Sequence, residues 1–386
     1  MERNTNNQCS VRPRNFGAKQ VKENMNMNIA VLGSGNGGCA VAFDYAAHGH
    51  QVSLFDFEQF PDSINAVRNN GGIHSEGLLE GFHPVIYAGH DIAKALDGAD
   101  LIYAVGPAYS TRPFAQACKP HLRKGQTVIV CPSSCGGSIE FKNGAGLDIR
   151  GEDIVVAETS TLPYAVRLLE PGRVRIFHTL RDGLFLAAVP ATCTQQVLEK
   201  IRDVYPTMLA AKNVLQTSLQ NGNPVIHPTI TLLNAAMIER ARGDFCFYED
   251  GVTPAVGRLI RAVDEERIAI GKKLGVEIIS EPEIGHQQGY MAEPTYDTGY
   301  SEAPGFKGIK AHDSLDYRYF NEDVGYGLVL LRKLGEQIGV DTPHISAVIM
   351  LVSVLMDRDY LSEAKRTMKT LGLSGHTAEE LEKLVA

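Results

Sequence analysis

Several features are missing from this 386-residue chain, and each absence removes a class of protein. No apolar stretch reaches the roughly 18 residues that a helix needs to span a bilayer. The opening from Met1 to Asn24 is polar and basic and lacks the apolar centre of a secretory signal. Positive charge is not in excess: 37 Lys and Arg against 45 Asp and Glu give a formal net charge of -8. That balance argues against nucleic acid or an anionic membrane as the main partner. A disulfide framework is also lacking. The seven cysteines (Cys9, Cys39, Cys118, Cys131, Cys135, Cys193, Cys246) are odd in number and scattered. They read as reduced thiols of a cytoplasmic protein. Cys131 and Cys135 have no second Cys/His pair nearby at zinc-finger spacing, so no metal is expected. Internal repeats and low-complexity tracts are absent.

What is present is an ordinary globular composition, 44% hydrophobic and 21% charged, in a chain long enough for two domains. Residues 1–26 are expected to be a disordered or non-native extension, with Met25-Asn26-Met27 as an alternative start. Residues 27–211 are expected to bind a dinucleotide, and residues 212–386 to form a helical substrate and catalytic domain.

Short apolar runs begin at Asn28–Leu32 and recur at Gln51–Phe55, Leu101–Val105, Thr127–Cys131 and Ile154–Ala157. Helical segments fall between them, such as Cys39–His48 and Pro113–Cys118. Alternation of this kind predicts a Rossmann-type, doubly wound parallel α/β sheet with right-handed crossovers. Arg173–Phe177 and Leu184–Val189 are expected to extend that sheet's far edge. Beyond about Lys212 the apolar period becomes helical. Ile345–Met356 is apolar almost all round and is expected to be a buried central helix, with a homodimer contact as the other use of that surface. Between the helices lies a Gly-, Pro-, Tyr- and His-rich stretch, Glu281–Tyr317, and long loops inside compact domains are usually functional.

Gly33-Ser34-Gly35-Asn36-Gly37-Gly38 fits G-x-G-x-x-G, follows a strand and opens a helix, with Asp56 about 20 residues further on. Gly33 allows the tight turn, Gly35 lets the backbone approach a pyrophosphate, and Gly38 brings helix and strand together. The helix N-terminus offers unpaired N–H groups to the phosphates. Asp56, closing the second strand, is expected to accept from the adenosine ribose hydroxyls and repel a 2′-phosphate. That places NAD(H) ahead of NADP(H). Gly106 and Pro107 follow a strand at the edge where such sheets contact cofactor.

The glycine turn resembles that of the opine dehydrogenases. So do CPSSCGGSIEF (Cys131–Phe141), AETSTLPYAVR (Ala157–Arg167), LQTSLQNGNPVIHP (Leu215–Pro228), DGVTPAVG (Asp250–Gly257), RYFNEDVGYGL (Arg318–Leu328) and LGLSG (Leu371–Gly375). The likeness runs from about Asn28 onward with the motifs in matching order. It implies a Rossmann domain followed by a helical one. It also implies NADH-dependent condensation of an α-keto acid, such as pyruvate, with the amino group of an amino acid.

That chemistry needs a proton-moving group near neutral pH, a carboxylate to orient it and a guanidinium for substrate carboxylates. From the residues alone, His227 is either an acid/base or a histidine at a helix end before Pro228; the resemblance implies the former. It pairs His227 with Asp323, Glu322 being the local rival. Since neighbours on a helix point about 100° apart, only one of the two should face the imidazole. Arg318 is implied as the substrate clamp, with a surface salt bridge as its bland alternative. Thr159 and Asn223, and behind them Ser160 and Asn221, are candidate substrate or nicotinamide contacts or simply caps and turns. His286 and His312 are weaker candidates for the amino-acid pocket. Ketopantoate reductases and glycerol-3-phosphate dehydrogenases share this architecture but rely on lysine, and Gln216–Ile230 contains none. A non-catalytic dinucleotide sensor is the other alternative.

Overall fold

The computed structural model describes residues 26–180 and 182–386, so the expectation for residues 1–26 lies almost wholly outside it. Twelve strands are described. They are β1 (Asn28–Leu32), β2 (Gln51–Phe55), β3 (Gly72–Gly77), β4 (Gly81–Pro84), β5 (Tyr87–Gly89), β6 (Leu101–Val105), β7 (Thr127–Cys131), β8 (Val155–Thr159), β9 (Tyr164–Glu170), β10 (Arg173–Thr179), β11 (Phe185–Val189) and β12 (Leu209–Ala210).

Eight of them form one sheet in the order β12-β11-β8-β7-β6-β1-β2-β5. Neighbours from β8 to β5 run parallel. β6, β7 and β8 are buried along their whole length, which is what continuous apolar runs between two helical layers require. The strand order reverses direction at β1, whose neighbours are β2 and β6. The C-terminal ends of β1 and β6 therefore open on a crevice.

Two expectations about the far edge change. Phe185–Val189 does join the sheet, but antiparallel to β8. Arg173–Thr179 does not join it. It lies in a second sheet, β4-β3-β10-β9, which sits against the glycine-turn helix Asn36–Ala47. Its sequence carries the reason: Arg173, Val174, Arg175 and Ile176 alternate exposed and buried, the mark of a strand with one wet face. The glycine-turn helix itself begins at Asn36 rather than Cys39, because the last residues of the turn are already helical.

After Ala210 the secondary structure is almost entirely helical, beginning with Val214–Gln220 and including Asn223–Leu233, Pro254–Lys273, Val329–Ile338 and Pro343–Leu355. Their apolar faces share one core with Phe185, Ala187 and Val189 of β11, so the helices close directly onto the sheet. Pro343–Leu355 corrects the sequence reading. Ile345, Val348, Ile349 and Val352 are buried at helical spacing, while Met350 and Val354 are 60% and 74% exposed. An apolar residue on every side does not bury every side; packing covers a single stripe. No described helix is long and apolar enough to cross a membrane. All six described cysteines are free, and burial pushes the Cys39, Cys118, Cys131 and Cys135 thiols up to about 12.

Candidate active site

The glycine turn is built as its sequence requires. Gly33 has φ +106°, and a Cβ there would lie 2.1 Å from the Val105 carbonyl oxygen. At Gly38 a Cβ would meet the Gly33 carbonyl oxygen at 1.8 Å, so the close packing is of the helix against its own turn. Around Gly35 nothing lies within 4 Å, which leaves the opening a pyrophosphate needs at the helix N-terminus. Gly37 faces Leu162 and Val105. Asn36 does not point at this opening; its side-chain oxygen accepts from the Leu168 N–H and ties the turn to β9. Asp56 is buried at the end of β2. It accepts from the Ser34 N–H and hydroxyl at 2.7 and 2.8 Å and from the Phe57 N–H at 2.9 Å. A carboxylate has about four acceptor directions. Asp56 can therefore brace the turn and still take a ribose hydroxyl.

The candidate acid/base pair comes from two helical segments. His227 is the fifth residue of the helix Asn223–Leu233, inside it rather than at its end. Arg318–Asn321 is a single helical turn that runs into a π-helical segment, Asp323–Leu328. Such segments cluster at functional sites. The two elements touch where a Cβ on Gly327 would be 2.5 Å from Pro224, so only glycine permits this approach. It brings His227 Nδ1 to 2.8 Å from Asp323 Oδ2 with both residues buried. The Tyr319 ring stacks on the imidazole at 3.8 Å. The Tyr248 hydroxyl lies 3.1 Å from Nε2.

Burial, helped by the Arg318 guanidinium, holds the imidazole well below its ordinary value, and burial pushes Asp323 up to about 7 against the pull of Arg318. Both shifts say that charge is costly here. The resting arrangement assigned from these contacts is a neutral imidazole: Nδ1–H donates to Asp323 and the Nε2 lone pair accepts from Tyr248.

Glu322 does not compete for the histidine. Its carboxylate accepts from the Ala108 N–H (2.9 Å), the Ser134 hydroxyl (3.1 Å) and Arg318 Nε (3.1 Å). Ala108 and Ser134 lie just past β6 and β7, so Glu322, next in sequence to Asp323, ties this segment to the C-terminal edge of the sheet. Gly106 and Pro107 are at that edge, where a Cβ on Gly106 would crowd Ser110.

Residues 210–356 match the α-helical domain of NAD/NADP octopine/nopaline dehydrogenases, and residues 28–133 match the N-terminus of NAD-dependent glycerol-3-phosphate dehydrogenase. An opine dehydrogenase of Arthrobacter sp. (strain 1C) is 38% identical over 90% of this chain and 96% of its own length. The chain belongs to the opine dehydrogenase family. A tauropine dehydrogenase of Arabella iricolor is 26% identical over 71% of this chain and 75% of its own. Octopine dehydrogenase, solved with NADH and agmatine, shares the fold: TM-score 0.75, 18% identity, 93% of this chain and 98% of that one. As an opine dehydrogenase, the protein is an NAD-dependent oxidoreductase acting on a CH–NH bond, and its substrates are small molecules.

In this opine dehydrogenase the other sequence candidates are divided. Asn223 is half-buried at the start of the histidine helix, and its side chain makes no hydrogen bond among the described residues. Asn221 is buried and accepts the Asn223 N–H. Thr159 is fully buried at the end of β8, its hydroxyl without a hydrogen-bond partner among the described residues. Ser160 accepts the Phe185 N–H within the sheet. His312 packs among Tyr317, Tyr319 and Phe247, and burial lowers it to about 4. His286 bonds the Met291 carbonyl.

Tyr248 and Tyr319 were not singled out from sequence. Both lie in aromatic segments that gave no local signal of proximity to His227. Buried Arg267 of Pro254–Lys273 donates to Asp264, the Leu219 carbonyl and the Ile279 carbonyl, and so ties the end of Val214–Gln220, the helix before the histidine helix, to its neighbours.

Proposed function

We propose that this enzyme condenses an α-keto acid such as pyruvate with the amino group of an amino acid, with His227 as acid/base and Asp323 orienting it. The observation that carries this reading is the buried 2.8 Å contact between Asp323 and His227, joined through the adjacent Glu322 to the ends of β6 and β7. The neutral imidazole takes a proton at Nε2 from the substrate ammonium, and the amine so freed adds to the ketone carbon and passes a second proton to the carbonyl oxygen, forming a carbinolamine. The imidazolium returns its proton to that hydroxyl, which leaves as water while the nitrogen lone pair closes the protonated imine. Asp323 stabilises the imidazolium between these steps, and the dry site strengthens that interaction. When bound, the reduced nicotinamide supplies the hydride that the imine carbon accepts. Tyr248 holds the Nε2 lone pair until the substrate amine replaces it.

Arg318 is the carboxylate clamp in this reading. Its guanidinium is charged at any working pH, and its side chain is partly exposed. Asn223 is a further polar contact for substrate. Gly33, Ser34, Gly35, Gly37 and Gly38 with Asp56 hold the dinucleotide, and Asp56 favours NAD(H) over NADP(H). Octopine dehydrogenase has been solved with NADH and pyruvate, and with NADH and L-arginine; this supports the same substrate classes here.

The test is NADH oxidation over a panel of keto acids and amino acids, with mass spectrometry of the product. Turnover that needs both partners and yields a secondary amine is expected. Oxidation with a keto acid alone, unaffected by any amine, would overturn the reading in favour of ketone reduction.

A further inference from the structure

We propose that Glu322 is a positioning residue for substrate: it presents the Arg318 guanidinium to an incoming carboxylate by fastening it to the cofactor edge of the sheet. The inference rests on the reading of Arg318 as the clamp. Glu322 is 3% exposed, yet its one carboxylate serves three donors from three places in the chain. Two of them, the Ala108 N–H and the Ser134 hydroxyl, belong to the loops after β6 and β7.

Those loops are themselves rigid. Arg366, fully buried and without a carboxylate partner among the described residues, donates to the Ser134 and Cys135 carbonyls at 2.7 and 3.0 Å and to the Ala108 carbonyl at 2.9 Å. Ser134 and Cys135 sit at φ +44° and +62°, a conformation that L residues adopt only when surrounding contacts enforce it. Ala108 is thus held on both sides, its N–H by Glu322 and its carbonyl by Arg366. Glu322 hangs from a fixed frame.

The third donor is Arg318, and the atom engaged decides the function. Glu322 takes Nε. The two terminal nitrogens of the guanidinium make no hydrogen bond among the described residues, and they form the planar fork that matches a carboxylate end-on. An arginine half open to solvent would otherwise spread over many rotamers and lose that freedom on binding. With Nε tethered, the fork is aimed before substrate arrives. A staple that merely joined the helices to the sheet would have no need of the arginine.

Glu322→Gln separates the roles. The amide oxygen can still take the Ala108 N–H and the Ser134 hydroxyl, but the amide nitrogen cannot accept from Arg318 Nε. KM for the keto acid or the amino acid is expected to rise about tenfold, the scale of one charge-assisted hydrogen bond, with kcat within about threefold of wild type, NADH affinity unchanged and Tm lower by a few degrees because Ala108 and Ser134 lose a charged acceptor. Arg318→Ala is expected to raise the same KM, and adding Glu322→Gln to it should raise KM no further. Added guanidinium ion should partly rescue Arg318→Ala and fail to rescue the double variant. Should Glu322→Gln not fold, Glu322→Asp keeps the charge but is one methylene too short to span Ala108 and Arg318, and the same rise in KM is expected. An unchanged KM in the folded Glu322 variant, or additive effects in the double variant, overturns the proposal. An unchanged KM in Arg318→Ala instead removes the clamp reading beneath it.

Discussion

Replacing Asp323 by asparagine isolates what the carboxylate gives the imidazole. The two side chains have nearly the same volume, and Gly327 against Pro224 fixes the backbone approach independently of the side chain, so the geometry should persist. What is lost is a hydrogen bond at 2.8 Å between a buried imidazole and a charged acceptor. Such a bond contributes about 1.5–3 kcal/mol, which is about 10- to 150-fold in rate. An asparagine that turns its NH2 toward Nδ1 would also stabilise the tautomer with the proton on Nε2, the wrong one for accepting a proton there. The full loss can then approach the roughly 10²- to 10⁴-fold that general acid–base catalysis supplies.

For Asp323→Asn we therefore expect kcat to fall about 10²- to 10³-fold, followed by NADH absorbance with saturating keto acid and amino acid. NADH affinity should not change, because Asp323 does not touch the glycine turn. The chain has no tryptophan, so the cofactor's own fluorescence reports that affinity cleanly. Loss of the carboxylate also disfavours the imidazolium, so the rising acid limb of the kcat/KM profile should move to lower pH. A variant that folds, binds NADH and keeps kcat within threefold of wild type would refute the role of this pair.

Tyr248→Phe should move the same limb the other way. The hydroxyl donates to Nε2 and so stabilises the neutral imidazole; without it the cation is less disfavoured, by about 1 kcal/mol or roughly 0.7 of a pH unit upward. A limb that stays in place or moves down would show that Tyr248 does not hold this nitrogen. Asp56→Asn should relax the preference for NADH over NADPH by at least about tenfold, a change of roughly 1.4 kcal/mol. It should also lower Tm by a few degrees, since the Ser34 N–H and hydroxyl lose a charged acceptor. Kinetics with both cofactors and a thermal scan separate the two effects, and undiminished discrimination would remove Asp56 from the ribose site.

Much of the site was legible because its signals are local. A glycine turn between a strand and a helix, an acid at the end of the next strand, and buried apolar runs in alternation are short-range statements about sterics and period. The turn accordingly has the form its sequence predicts at Gly33 and Gly35, while at Gly38 the helix packs on the turn itself rather than on the strand. The second sheet left a local trace too, in the alternating exposure of Arg173 to Ile176, although the sheet it joins could not be read from that trace.

The chain's own residues thus pointed to a dinucleotide site at the glycine turn, and the family resemblance singled out His227 with Asp323 as its partner and Glu322 as the local rival. Only the tertiary structure showed Glu322 engaged elsewhere, placed Tyr248 on the imidazole, and left one apolar face of Pro343–Leu355 open. The physical reason is separation along the chain. His227 and Asp323 are 96 positions apart, and Ala108 and Glu322 are 214 apart. Contacts at that range are set by which surfaces pack when the helices close onto the sheet, and no periodicity or turn chemistry encodes them residue by residue.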